Sequence, residues 1–448
     1  MDVYNLVSFV GLFVLMGAAW VLSADRRRMN FRVIAWGVGI QLVLGMLVFW
    51  MPGSRRLFMW LNDGVVAVLG AAQAGQQFLF GKLAETEATD GVFGKGQGFI
   101  LALQALPVII FFAALMSLLY HWRIMPLIVR GFAWLFTRLM RISGAESLCT
   151  ASNIFVGIES ATTVRPHLKQ MTRSEFCTIL TAGMATVASS TLAVYVGFLK
   201  DTFPTIAGHL ISASILSAPA AIVMSKILLP EDGRPVTLGK SIRPAYERHS
   251  SAIEAVIAGA MAGVKLVVGI CALLIAFLGL IALVNLLFGA VHGPVNYALD
   301  RTVNALLEAS VNAWWGWEVR LTCPASLEQL LGWVFRPVAA VIGVPWSDAG
   351  PAGEMLGKRL IATEIPAYLQ LADAIEKGQF AHPRSRVVVA YALCGFAHVA
   401  SLAIFVGGIA ALVPERRRDL AAVGPRALLA ATLACLMTGA VAGTFFLT

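Results

Sequence analysis

At 448 residues, 58% of them hydrophobic and 13% charged, with a mean hydropathy of +0.78, the chain has too little polar surface to be solvated as an ordinary globule. Its formal net charge of +9 sits in short Arg and Lys clusters between apolar runs. That pattern excludes the exposed basic face a nucleic-acid binder needs and reads as membrane topology information instead.

The apolar runs exceed the roughly 20 residues needed to cross a bilayer. They are continuous rather than alternating, which favours an all-α integral membrane protein over a β-barrel. In chain order, spans are predicted over residues 5–23, 30–51, 99–120, 175–199, 204–229, 264–290, 386–412 and 423–446, about eight in all. The first opens at Asn5 with no positive charge before it and closes at Asp25-Arg26-Arg27-Arg28 without a small-residue cleavage pattern, so it is expected to be a retained anchor. Residues 54–80 and 249–263 have the amphipathic pattern of helices lying in the membrane plane.

Charge placement supports this assignment. With eight spans and both termini outside, Arg26 to Arg28, Arg123 to Arg141, Arg165 to Arg173, Arg234 to Arg248 and Arg416 to Arg418 all fall on the cytoplasmic side. The acidic Glu85, Glu87 and Asp90 fall outside, as do Trp314, Trp315 and Trp317, whose composition suits an interface. Six scattered cysteines show no metal-ligating spacing and are expected to pack, so no metal site is expected.

Residues 146–170 and about 326–368 fit neither a span nor a loop. Both are interrupted by Gly, Pro, Ser and Thr, and each holds one carboxylate in an uncharged neighbourhood, Glu159 and Glu364. Both are expected to be re-entrant hairpins, because non-helical backbone at membrane depth survives only beside protein or a water-filled cavity. Each is followed by a polar-centred span and then another span. If the first unit starts inside and the second outside, they form inverted repeats around a midplane site.

A carboxylate at that depth costs about 2.5–3.5 kcal/mol on insertion scales, which makes Glu159 and Glu364 the leading site residues. The competing reading is that each neutralises a nearby arginine such as Arg359. His398 lies mid-span in "YALCGFAHVASLAIFVGG" and can carry a proton near neutral pH. Thr363 and Ser401 can bond a hydroxyl-rich ligand or pack helix against helix, and Phe396 can stack on a ring or fill the core. The motifs of hydrolases, zinc proteases and phosphate-binding loops are missing, which argues against an enzyme.

Four ordered blocks resemble the concentrative nucleoside transporter family: "ALQALPVIIFFAALMSLLYH", "NIFVGIESATTVRP" with "MTRSEFCTILTAGMAT", "GKRLIATEIPAY", and "SRVVVAYALCGFAHVASLAIFVGGIAALVPERRRDL". The resemblance implies a homotrimer of nucleoside symporters in a bacterial inner membrane, each with scaffold and transport subdomains and elevator-type alternating access. Its expected divisions are 1–121 (N-terminal scaffold helices), 122–230 (first hairpin-containing repeat), 231–325 (amphipathic helix, scaffold helix and external segment) and 326–448 (second hairpin-containing repeat). It also implies that Glu159 meets the base, that Thr363 and Glu364 meet ribose, and that Phe396, His398 and Ser401 complete the substrate site from a broken helix.

The departures matter as much. Ile158 stands where the family has Gln-Thr, Thr363 where it has Asn, and His398 where it has Asn, so another polar ring compound or a modified nucleoside stays open as ligand. The family's sodium site implies Asn153, the Val156 carbonyl and Thr186 as cation ligands. Val187 offers no side-chain oxygen where sodium-coupled members have a hydroxyl. That points to a co-transported proton carried by Glu159, Glu364 or His398, with sodium as the alternative and no organic cofactor.

Overall fold

The computed structural model describes residues 2–50, 54–86, 88–89, 99–245, 249–305 and 323–447, without the side chains of 54–58, 61 and 158. Glu87, Asp90, Arg248, Trp314, Trp315 and Trp317 therefore lie outside the described residues. Within them the regular elements are helices, and an isolated bridge joins Ser143 to Leu238.

Helices α1 (Val3–Val21), α2 (Phe31–Phe49) and α3 (Ser54–Phe80) open the chain. A turn at Leu101–Gln104 leads through Pro107 into α4 (Val108–His121), and α5 (Ile124–Met140) follows. Next come α6 (Gly144–Asn153), a 3-10 turn (Ile158–Val164), α7 (Arg173–Ala185), α8 (Ser189–Leu199) and α9 (Ile206–Leu228). The second half holds α10 (Ala252–Leu299), α11 (Leu327–Val341), α12 (Ala349–Ile361), α13 (Glu364–Glu376), α14 (Pro383–Leu393), α15 (Val399–Leu412) and α16 (Arg417–Phe445). Seven helical stretches among the described residues are long and apolar enough to cross a membrane, and they coincide with seven of the predicted spans.

The predicted span 386–412 is instead two half-helices, α14 and α15. Cys394 is extended, and Gly395 takes φ +129°, a conformation side chains disfavour. The span predicted over 175–199 is broken in the same way, with Thr186 and Ala188 extended between α7 and α8. The two interruptions touch: a Cβ on Gly395 would sit 2.7 Å from the Ala185 carbonyl oxygen and 2.6 Å from Cys435 Sγ.

Two sequence expectations are corrected. The 249–263 segment is no separate in-plane helix, because it runs unbroken into α10, a 48-residue helix. Gly259 and Gly263 let it lie directly on α4, where Cβ atoms would meet the Ala113 carbonyl at 2.6 Å and Ile110 Cα at 2.7 Å, so tertiary packing extends the helix past the change in composition. The second interrupted unit is shifted: α11 is a helix of its own, ended where Gly343 adopts φ +95°, and the hairpin-like pair is α12 and α13 with its tip at Ala362 and Thr363.

The arginine-bearing segments converge on one end. There Ala24 N donates to Leu228 O (2.9 Å), Arg32 Nε to Leu139 O (3.1 Å) and Gly144 N to Thr237 O (2.9 Å), while Lys169 pairs with Glu415 (3.2 Å). Lys226 closes this end from inside, 2.8 Å from Glu146 and 3.2 Å from Glu231. At the other end Arg384 donates to Tyr4 O, Asn5 Oδ1 and Gly443 O, and Asn5 Nδ2 to Phe446 O. Thus α7 starts at the arginine-rich end, where Arg173 lies 3.5 Å from Asp419, and α14 starts at the end holding the chain termini.

Candidate functional site

Where the interrupted elements meet α4 and α10, they enclose a cavity of about 470 Å³. Its lining includes Val156, Glu159, Thr363, Glu364, Phe396, His398 and Ser401, so one space gathers every residue expected to bind substrate. Apolar walls with few convergent polar groups are the usual make-up of a small-molecule site.

Glu364 is the first residue of α13 and is 4% exposed. One carboxylate oxygen accepts from Tyr195 Oη at 2.7 Å and the other lies 2.8 Å from His398 Nε2. The half-helix α15 starts just after His398, whose Nδ1 accepts the Ser401 N–H at 3.2 Å as its N-cap. With Nδ1 accepting, a neutral ring would bear its proton on Nε2, the nitrogen 2.8 Å from Glu364. The Ser401 hydroxyl faces back onto the carbonyls of Phe396 and His398, so it braces the break as well as lining the cavity.

Thr363 holds φ +145° and its buried hydroxyl has no protein partner among the described residues. A β-branched residue in that region stores strain of order 1–3 kcal/mol, and such strain clusters at ligand clamps. Glu159 lies in the first turn of the 3-10 segment at the other side of the cavity, where it is exposed and has no cationic partner among the described residues. Arg359 neutralises neither glutamate. Fully buried, it donates to Ala392 O in the last turn of α14, a carbonyl that the break leaves orphaned.

The expected cation ligands are only partly together. Thr186 Oγ1 donates to Asn153 O at 2.7 Å and to Ala182 O at 2.9 Å, and Asn153 Oδ1 accepts from Ser160 at 2.7 Å. Asn153 and Thr186 are buried and, unlike Val156, do not line the cavity. Ser214 of α9 joins them, donating to Ile154 O at 2.9 Å and lying 3.4 Å from Val187 O. Ser214, like Tyr195 and the cavity-lining Tyr120, escaped the sequence reading, since a hydroxyl in an apolar span carries no pattern that separates it from packing.

Three family models match the chain: "Na+ dependent nucleoside transporter N-terminus" over residues 10–83, "Nucleoside recognition" over 102–202 and "Na+ dependent nucleoside transporter C-terminus" over 209–443. The chain is 34% identical to the nucleoside permease NupC of Helicobacter pylori over 98% of both proteins. It is 33% identical to the sodium/nucleoside cotransporter 1 of Rattus norvegicus, covering 99% of this chain and 64% of that longer protein. Among solved structures, CNTnw in an inward-facing substrate-bound state aligns with a TM-score of 0.82 at 33% identity, over 99% of this chain and 98% of that one.

Proposed function

The chain belongs to the concentrative, Na+ dependent nucleoside transporter family, and from that premise we propose that it imports nucleosides across a bacterial inner membrane, driven by a cation moving down its gradient. The observation that carries this reading is the placement of Glu159 and Glu364 in one cavity, on two interrupted elements, with His398 beside Glu364. An ionised carboxylate accepts hydrogen bonds while a neutral imidazole N–H donates them. Together they suit ligand hydroxyls, which both donate and accept.

The interrupted elements that carry Glu159, Glu364 and His398 act as a transport unit moving against a scaffold of α1 to α4 and α10, in an elevator-like exchange of access within a homotrimer. The opposite entry of α7 and α14 supports inverted repeats, with their interruptions crossing near the midplane. Placing the arginine-rich end in the cytoplasm puts both termini outside.

The proton is the favoured coupling ion. Thr186 and Ser214 hydroxyls are committed to backbone carbonyls, Val187 supplies no side-chain oxygen, and a titratable pair faces the ligand space instead. Protonating His398 at Nδ1 would break the α15 cap, so Glu364 or Glu159 is the better carrier. Sodium remains the second reading, favoured by the oxygens clustered around Asn153.

Labelled nucleoside uptake into proteoliposomes, with proton and sodium gradients imposed separately, tests both parts. Uptake should follow an inward proton gradient and be lost in Glu364→Gln. Uptake driven by sodium alone would overturn the coupling ion, and no uptake of any nucleoside would overturn the substrate class.

A further inference from the structure

We propose that Tyr195 is a positioning residue for substrate recognition, holding one oxygen of Glu364 fixed so that the other is free to exchange His398 for the ligand. The inference rests on the reading of the cavity as the nucleoside site. Tyr195 is fully buried on α8, outside the cavity lining, so it cannot touch a ligand itself. Its hydroxyl donates to Glu364 Oε1 at 2.7 Å, a charge-assisted bond when the carboxylate is ionised.

The ring is fixed as firmly as the hydroxyl. Tyr195 stacks on Tyr368, with centroids 4.4 Å apart and planes at 19°. Glu364 and Tyr368 are four residues apart on α13 and so share a face, which grips Tyr195 with a carboxylate and a ring at once. A glutamate at a helix start has three rotatable bonds and could otherwise turn among several donors. Fixing it before the ligand arrives removes an ordering cost from binding. His398, the other partner, lines the cavity and is the one a ligand can displace.

The alternative is that Tyr195 merely satisfies a buried hydroxyl, as Tyr368 does by donating to Ala390 O at 2.9 Å. Kinetics of labelled uridine uptake by reconstituted wild type, Tyr195→Phe, Tyr368→Phe and Glu364→Gln separate the two. Both phenylalanine variants keep the stacked pair. Tyr195→Phe should raise KM about tenfold, the loss of one hydrogen bond to a charged group, with Vmax per reconstituted protein little changed. Tyr368→Phe should leave KM alone.

Wild-type KM in Tyr195→Phe, or an equal rise in both phenylalanine variants, would overturn the positioning role. If Glu364→Gln still abolished uptake, the site reading would stand without it. Retained uptake in Glu364→Gln would overturn both. Protection by uridine against thermal unfolding in detergent reads the same contrast without reconstitution, and equal protection of wild type and Tyr195→Phe there would also refute the role.

Discussion

His398 does two jobs through its two nitrogens, and substitutions can separate them. Asparagine can still cap α15 but cannot reach Glu364 as the imidazole does, whereas alanine does neither. His398→Ala should therefore be less stable than His398→Asn by about 1 kcal/mol, the usual worth of an N-cap, read as a lower melting temperature in detergent. His398→Ala should also lose uptake, whereas His398→Asn restores the residue the family carries there and should keep part of it. Equal stability of the two variants would show that the Ser401 N–H contact contributes nothing. At this scale the sequence was informative about charge and only partly so about hydroxyls, since it singled out Thr363 and Ser401, which line the cavity, but not Tyr120 or Ser214. Glu159, Glu364 and His398 stood out because ionisable groups are scarce in apolar segments, and all three line the cavity. Tyr195 did not, because a tyrosine in an apolar span reads as core until its hydroxyl is seen on Glu364.

The crossing of the two interruptions makes strong demands on Gly395. Alanine there would need a disfavoured φ and would meet the Ala185 carbonyl and Cys435 Sγ, so Gly395→Ala should sharply reduce folded yield and uptake, as gel filtration and transport assays will show. Lys226→Met should destabilise by about 3–5 kcal/mol, since Glu146 is 1% exposed and would be left buried without its cation. A melting temperature unchanged in that variant would contradict the role given to the pair. The sequence located both interrupted regions but misplaced the limits of the second, because Gly and Pro mark the connection after α11 as strongly as the tip at Thr363. It also divided α10 where amphipathic gives way to apolar pattern. Helix continuity there is decided by packing on α4, which composition does not reveal.

For the whole molecule, the charge rule anticipated that arginine clusters far apart in sequence would share one end, and the contacts of Ala24, Arg32, Lys169 and Thr237 join those segments there. What the rule could not supply was the cavity, which depends on how the interrupted elements lie against α4 and α10. The central claim is that this cavity recognises a nucleoside through Glu364. Calorimetric titration of uridine and adenosine into purified protein, wild type against Glu364→Gln, tests it most directly. The account predicts saturable binding of at least one nucleoside to the wild type, weakened tenfold or more in the variant, about 1.4 kcal/mol. Equal binding to both proteins, or none to the wild type, would contradict it.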